Sequence, residues 1–367
     1  EAVRLAEITQ TPKHEAASYL LWGQAMLRQG KYQESQEKLK VSQAQAEAQQ
    51  LSQIYADSLR FQGVVASELG QFDQAKHLYE AALSRYATLK DKRGESTVLN
   101  NLSIVAYAQN QLMAAMVHWE QARALHLAIG DKEGTSRVLS NLSSACMDLG
   151  LYEKGREYSQ EALNICREID LRFGQGFNLI NLSLFSYYLQ ADQQAEIYGL
   201  AALKLAQEIE SLSLEGLALK DQAFILMKQQ KYAEAEQTYQ QALIVWQQLA
   251  QPLQLIEVQA GLARVALRQK NVEQALTHLQ PVIAYLQAGN TSKGTSRPFY
   301  IYLVCYEVLA ASGDPYAPTI LQQAYDELML YADEIPEESQ RFAYLQNVAE
   351  HRQIYDHFGQ VDRSTEG

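Results

Sequence analysis

Three small residues recur along this chain at a spacing of 40 positions, and no other feature narrows its possible folds so far. Ser143 has Gly23, Gly63, Ser103, Ser183, Ala223 and Ala263 in register with it. Gly155 has Ser35, Ala75, Ala115, Ala195, Ala235 and Ala275; Ala162 has Ala2, Ser42, Ala82, Ala122, Ala202, Ala242 and Val282. The unit from Asp131 to Asp170 shows what they serve. Leu139, Leu142, Ser143 and Cys146 form the i, i+3, i+4, i+7 stripe of one amphipathic helix. After a turn at Gly150-Leu151-Tyr152, a second helix sets Gly155 and Ala162 beside Tyr152 and Ile165. Small side chains let two helix axes approach closely and bulky ones fill the flanks. Neither helix buries its face alone, so the unit is stable only when stacked on copies of itself.

The turn residue Gly150 recurs as Gly30 and Gly70 and relaxes to Asn110, Gln190, Gln230 and Lys270. After it come an aromatic residue, a small one, a second aromatic and Ala-Leu, as in LGLYEKGREYSQEALNI from Leu149 and QQKYAEAEQTYQQALIV from Gln229. This pattern resembles the tetratricopeptide repeat, well over residues 15–285 and loosely over 298–367. The family's usual unit has about 34 residues; six more would lengthen its helices by roughly 9 Å in total at about 1.5 Å per residue. Long units with the linker GDKxGxS, here Gly130–Ser136, resemble those of kinesin light chains, bacterial Rap-type peptide receptors and the sensor arm of the maltose-regulon activator. The resemblance implies an all-α, right-handed α-α superhelix of about seven repeats with a C-terminal cap.

Composition agrees with a folded solenoid: 47% apolar and 20% charged residues, with no apolar run near the roughly 20 residues of a membrane span. Thirty-one basic against 43 acidic residues leave a net charge of −12, which disfavours direct binding to a nucleic-acid backbone. Cys146, Cys166 and Cys305 have no paired spacing and fall on core faces, so buried thiols and a cytoplasmic setting are expected.

In chain order, residues 1–14 read as the second half of a truncated repeat, since Ala2 falls at the Ala162 station and no initiator methionine precedes it. A covalently linked upstream ATPase or regulatory domain is therefore expected. Residues 15–287 form the array, 288–297 a flexible Gly/Ser/Thr-rich loop, and 298–367 a divergent last repeat and cap. Pro298 suits a first helical turn, Gly313-Asp314-Pro315 a turn, and SQRFAYLQNVAEHRQIYDHF one sealing helix before the polar residues VDRSTEG, which should fray.

Little chemistry is legible. GNTSKGTS, residues 289–296, puts Thr295 where a phosphate-binding loop needs lysine and follows a helix rather than a strand. FGQGF, residues 173–177, lacks a βαβ context and reads as a turn between helices. His118 and His126, and His351 and His357, have no metal-ligand spacing. No catalytic residue, metal or cofactor is expected.

The inner face of an array is lined by the first helix of each unit. Its non-core stripe is Thr97, Asn101, Ile104 and Ala108, then Arg137, Asn141, Ser144 and Asp148, then Phe177, Asn181, Leu184 and Tyr188. Asn101, Asn141 and Asn181 share one station, which Phe61 and Asp221 occupy in the flanking units. A carboxamide both donates and accepts, so it can pair with the backbone of an extended peptide. Helices about 8–10 Å apart would meet every third residue of a strand rising about 3.3 Å per residue. The kinesin light chain and Rap-type resemblance implies that use; otherwise Asn is only a tolerated polar neighbour of the helix seam. Tyr107, Phe177, Tyr187, Tyr188 and Phe224 would add apolar contacts, and Arg137, Lys228, Arg264 and Arg268, with Lys220 nearby, would select charge. The expected function is a peptide- or protein-binding module, the sensor arm of a larger bacterial signalling protein; a stand-alone adaptor and a small-ligand sensor are the alternatives.

Overall fold

The structure is a computed structural model and describes residues 12–290 and 292–365. The half-repeat expected at 1–14 therefore lies almost wholly outside the described residues. The described residues form eighteen α-helices and no strand. In order they are α1 Pro12–Arg28, α2 Tyr32–Ala48, α3 Ser52–Glu68, α4 Phe72–Leu89, α5 Lys92–Ala108, α6 Leu112–Ala128, α7 Lys132–Asp148, α8 Tyr152–Glu168 and α9 Arg172–Tyr188. Then come α10 Asp192–Glu208, α11 Leu212–Lys228, α12 Tyr232–Gln248, α13 Pro252–Arg268, α14 Val272–Gln287, α15 Pro298–Ser312, α16 Ala317–Asp333, α17 Glu338–Gln346 and α18 Ala349–Thr365. The chain divides into two compact units, residues 1–138 and 139–367.

The 40-residue period is two beats of twenty. Most repeat helices have 17 residues, about 25 Å at 1.5 Å per residue. A left-handed residue ends each helix of the array at positions 30, 50, 70 and so on to 270. The hydrogen bonding there is that of a Schellman turn: Leu151 N–H donates to Cys146 O at 2.8 Å and Gly150 N–H to Met147 O at 3.1 Å. Glycine fills this position at 30, 70, 130 and 150, but Gln50, Lys90, Asp170, Glu210 and Ala250 adopt it too. In the GDKxGxS linker, Asp131 caps α7 by accepting from Gly134 N–H at 2.9 Å, and a Cβ on Gly134 would strike the His126 ring.

The small stations are where paired helices touch. Ser35 donates to Gly23 O at 2.8 Å in unit 1, and Ser183 donates to Ala195 O at 2.7 Å in unit 2. Aromatic rings fill the remaining volume, as where Tyr79 lies against Gly63 and Tyr239 against Gly261. The three cysteines are buried and none is in a disulfide, and burial pushes the Cys305 thiol up to about 12.

Two expectations need correction at the C-terminal end. The sealing segment is two helices, parted after Gln346; at the junction the Asn347 side chain donates to Gly150 O at 3.0 Å and its carbonyl accepts from the Tyr152 hydroxyl at 3.2 Å. The second helix runs on to Thr365 rather than ending before VDRSTEG. The loop 288–297 is also anchored at its far end, where Ser296 N–H donates to Glu257 at 3.0 Å and Arg297 meets Asp221 at 2.8 Å.

Candidate functional site: the inner face of unit 2

The first helices of the unit 2 repeats, α9, α11, α13 and α15, bring together most of the residues singled out by sequence. Tyr188 stacks flat on Tyr152, with centroids 4.5 Å apart, and Tyr187 meets Tyr188 edge-on at 5.4 Å. Phe224 is wholly buried, with Tyr300 edge-on at 5.7 Å. Burial pushes the Tyr188 hydroxyl far up, so this aromatic wall stays neutral.

Charges are inlaid in the wall in two groups. In the first, Lys228 Nζ lies 3.0 Å from Glu350, and Arg264 forks onto Glu307 at 2.8 and 3.1 Å while facing Glu350 at 3.8 Å. Arg268, half exposed, reaches Glu307 at 3.3 Å. Burial would raise the Glu350 carboxyl, but Lys228 and Arg264 outweigh it and hold it at about 2. Burial pulls the Lys228 ammonium down, with Glu350 opposing. In the second group, Lys220 lies 3.1 Å from Glu257 and bonds Ser296, while Arg297 bridges Asp221 at 2.8 Å and Glu257 at 3.5 Å and covers the Phe224 ring at 4.0 Å. Burial disfavours the Arg297 charge, and Asp221, Tyr188 and Glu257 more than restore it.

The cations at 228, 264 and 268 are thus gathered as expected, but the anions they hold are the chain's own Glu307 and Glu350. Sequence reasoning missed Glu257, Arg297, Glu307, Asn347 and Glu350. Glu257 had a visible signal, a lone carboxylate within the apolar run Leu253–Val258; the others are joined to the wall by contacts no local pattern encodes.

The asparagine station is different. Asn141 is half-buried on α7, and Asn181 is 9% exposed on α9 with its Nδ2 buried and lacking a hydrogen-bond partner among the described residues. Phe177, one turn earlier, is half-buried. Asn101, Tyr107 and Arg137 belong to unit 1, where Asn101 is half-buried, Tyr107 packs 5.7 Å from Trp119, and Arg137 is exposed beside Glu133. Among the described residues no group of three or more His, Cys, Asp or Glu side chains could hold a metal ion, and no helix is long and apolar enough to cross a membrane.

Comparison with known proteins follows the same lines. The tetratricopeptide repeat family model matches residues 215–288, and the model of the rapsyn N-terminal myristoylation and linker region matches residues 101–171. No curated protein matches the sequence. Among solved structures, a Rap protein complexed with competence and sporulation factor is similar over 95% of this chain and 98% of its own, at 14% identity and a TM-score of 0.61. The apo form of the quorum sensor NprR from B. thuringiensis matches over 77% and 80% at 15% identity and a TM-score of 0.61. A signal transduction ATPase with numerous domains and a tetratricopeptide repeat sensor, from Pyrococcus horikoshii, matches 93% of this chain and 54% of its own at 13% identity and a TM-score of 0.54. At these identities the likeness is one of fold, and it agrees with the repeat register: this chain is built of tetratricopeptide-type helix pairs.

Proposed function

We propose that the chain is a binding module for a peptide or an extended protein segment, with Asn141 and Asn181 on the inner face of unit 2 holding the backbone of that segment. The observation that carries the reading is the Asn181 amide: a buried donor without a partner among the described residues costs about 1–3 kcal/mol, which favours its turning outward onto a peptide carbonyl. Solved relatives of this fold include a Rap protein with competence and sporulation factor and NprR with its cognate peptide NprX, which supports the same class of ligand. Phe177 and Tyr187 supply apolar contacts. A ligand carboxylate reaches Lys228 only by displacing Glu350, Arg264 only by displacing Glu307 or Glu350, and Arg268 only beside Glu307. No reaction is assigned.

The test is a pentapeptide library screened against the full chain, with hits titrated against Asn141→Ala, Asn181→Ala and, separately in unit 1, Asn101→Ala. Each unit 2 variant should bind at least tenfold more weakly; unchanged affinity in both sinks the reading. The neighbour with numerous domains favours the further reading of a sensor arm in a larger signalling protein. An immunoblot of source cells against this region should then show a band well above 41.4 kDa; a band at that mass leaves an adaptor.

A further inference from the structure

One station of the repeat departs from its role within unit 2. Position 39 of the period holds Leu39, Tyr79, Trp119, Ser159, Gly199, Tyr239 and Leu279. The large members are core fillers, each at most 2% exposed. Ser159 fills its place by bonding Ser143. Gly199 fills nothing. A Cβ built on it would meet only the Ser183 side chain, whose Oγ lies at 3.2 Å.

The missing filler leaves a pocket of about 310 Å³ among α9, α10, α11 and α12. About 150 Å³ suffices for benzene in a protein interior, so a phenol or indole ring has room. Its walls show what the space is shaped for. In unit 1, Tyr79 packs in one cluster with Leu102 and Val105. Their counterparts 120 positions on are Gln222 and Ile225, and both line the pocket. The apolar wall Ile225 is kept, while the leucine has become a carboxamide that can bond a polar ring tip. Such a tip needs a partner when an aromatic side chain is buried. Among the charged lining residues, Glu196 and Glu234 outnumber Lys231.

We propose that this niche receives one aromatic side chain with a hydrogen-bonding tip, tyrosine or tryptophan, presented by a partner polypeptide with basic residues beside it. The guest ring takes the place that Tyr79 fills from within its own repeat. Gln222 meets its polar tip, and Glu196 and Glu234 meet the flanking cations. The niche shares no residue with the asparagine station, so either proposal can fail alone.

The test is titration of the full chain with p-cresol, a blocked lysine-tyrosine-lysine tripeptide and its glutamate-tyrosine-glutamate counterpart, followed by NMR. Both p-cresol and the basic tripeptide should bind, the latter at least fivefold tighter than the acidic one. Gly199→Tyr should raise Tm and weaken both ligands at least tenfold. Should that variant misfold, Gln222→Leu should weaken p-cresol at least threefold and leave toluene unaffected. No binding to the wild type, or equal binding to wild type and Gly199→Tyr, overturns the proposal. If the two tripeptides bind equally, the polypeptide partner is overturned in favour of a small free aromatic.

Discussion

Units 1 and 2 are cut to one template, yet the inner faces of their first helices reach different physical states. In unit 1 the asparagine station is half-buried at both Phe61 and Asn101; Arg60 lies over the Phe61 ring at 3.9 Å, and its carboxylate partner Asp57 keeps 26% of its side-chain surface. In unit 2 the next stations are dry. Lys220, Asp221, Glu257 and Arg264 are at most 7% exposed, and their partners include Ser296, Arg297, Glu307 and Glu350. The template fixes where helices lie; residues far along the chain decide whether a face is wet or sealed. A charge pair that is merely convenient on a wet face becomes obligatory on a sealed one, because each partner left alone would be a buried ion.

The sharpest way to break this contrast is to remove one arginine from each unit. Arg297→Ala leaves two buried carboxylates, Asp221 and Glu257, with Lys220 as their one cation among the described residues and should cost about 3–5 kcal/mol in urea denaturation. Arg60→Ala should cost under about 1 kcal/mol, since Asp57 can hydrate. Equal losses would erase the distinction.

Protonation is the next lever. Burial against Phe299 and Tyr344 holds the His351 imidazole down at about 4, although the Tyr344 carbonyl and Glu350 favour its charge. The unfolded chain therefore binds the extra proton between about 6.5 and 4, and stability present above that window is lost as pH falls through it, by up to about 3 kcal/mol. Glu350 adds a second loss as pH falls from about 4.3 toward 2. In unit 1, burial also lowers the His126 pKa, but Asp131 lies 2.9 Å away to compensate a proton. His351→Gln should flatten the stability profile between pH 4 and 6.5 far more than His126→Gln does. A profile unchanged by His351→Gln would place the pH response elsewhere.

The smallest contrast uses one turn position twice. Gly70 and Gly150 are both left-handed, but a Cβ on Gly70 meets nothing within 4 Å, whereas on Gly150 it lies 2.8 Å from the Ala343 carbonyl and from Asn347. Gly70→Ala should cost about 1–2 kcal/mol of backbone strain. Gly150→Ala should cost roughly a further 1–2 kcal/mol for the crowding, read as a lower Tm. Matching Tm shifts would show that the C-terminal segment yields freely.

What the sequence made legible follows from the range of each interaction. Ser143, Gly155 and Ala162 repeat because paired helices touch there in every unit, a local demand written locally. The left-handed ends at Gln50, Lys90, Asp170, Glu210 and Ala250 were hidden, since the three-residue turn imposes that conformation on whatever residue stands there. At the site, the gathering of Lys228, Arg264 and Arg268 followed from the period. Their anions did not: Glu350 is 122 residues from Lys228, on a segment that departs from the period. Gly199 was legible in principle, since laying position 39 of the period in a column exposes the one residue without a side chain.

The clasp of Asn347 on Gly150 and Tyr152 has a consequence for how such a chain can change length. An open solenoid gains or loses a repeat at little structural cost, because only nearest neighbours notice. Unit 2 joins residues 195 and 197 positions apart, so its two ends are tied to one another. Deleting or duplicating any 40-residue block between them would carry Asn347 off Gly150, and a block beyond Lys228 would also carry Glu350 off Lys228. The clasp is a ruler: it counts the repeats of unit 2 and permits one number.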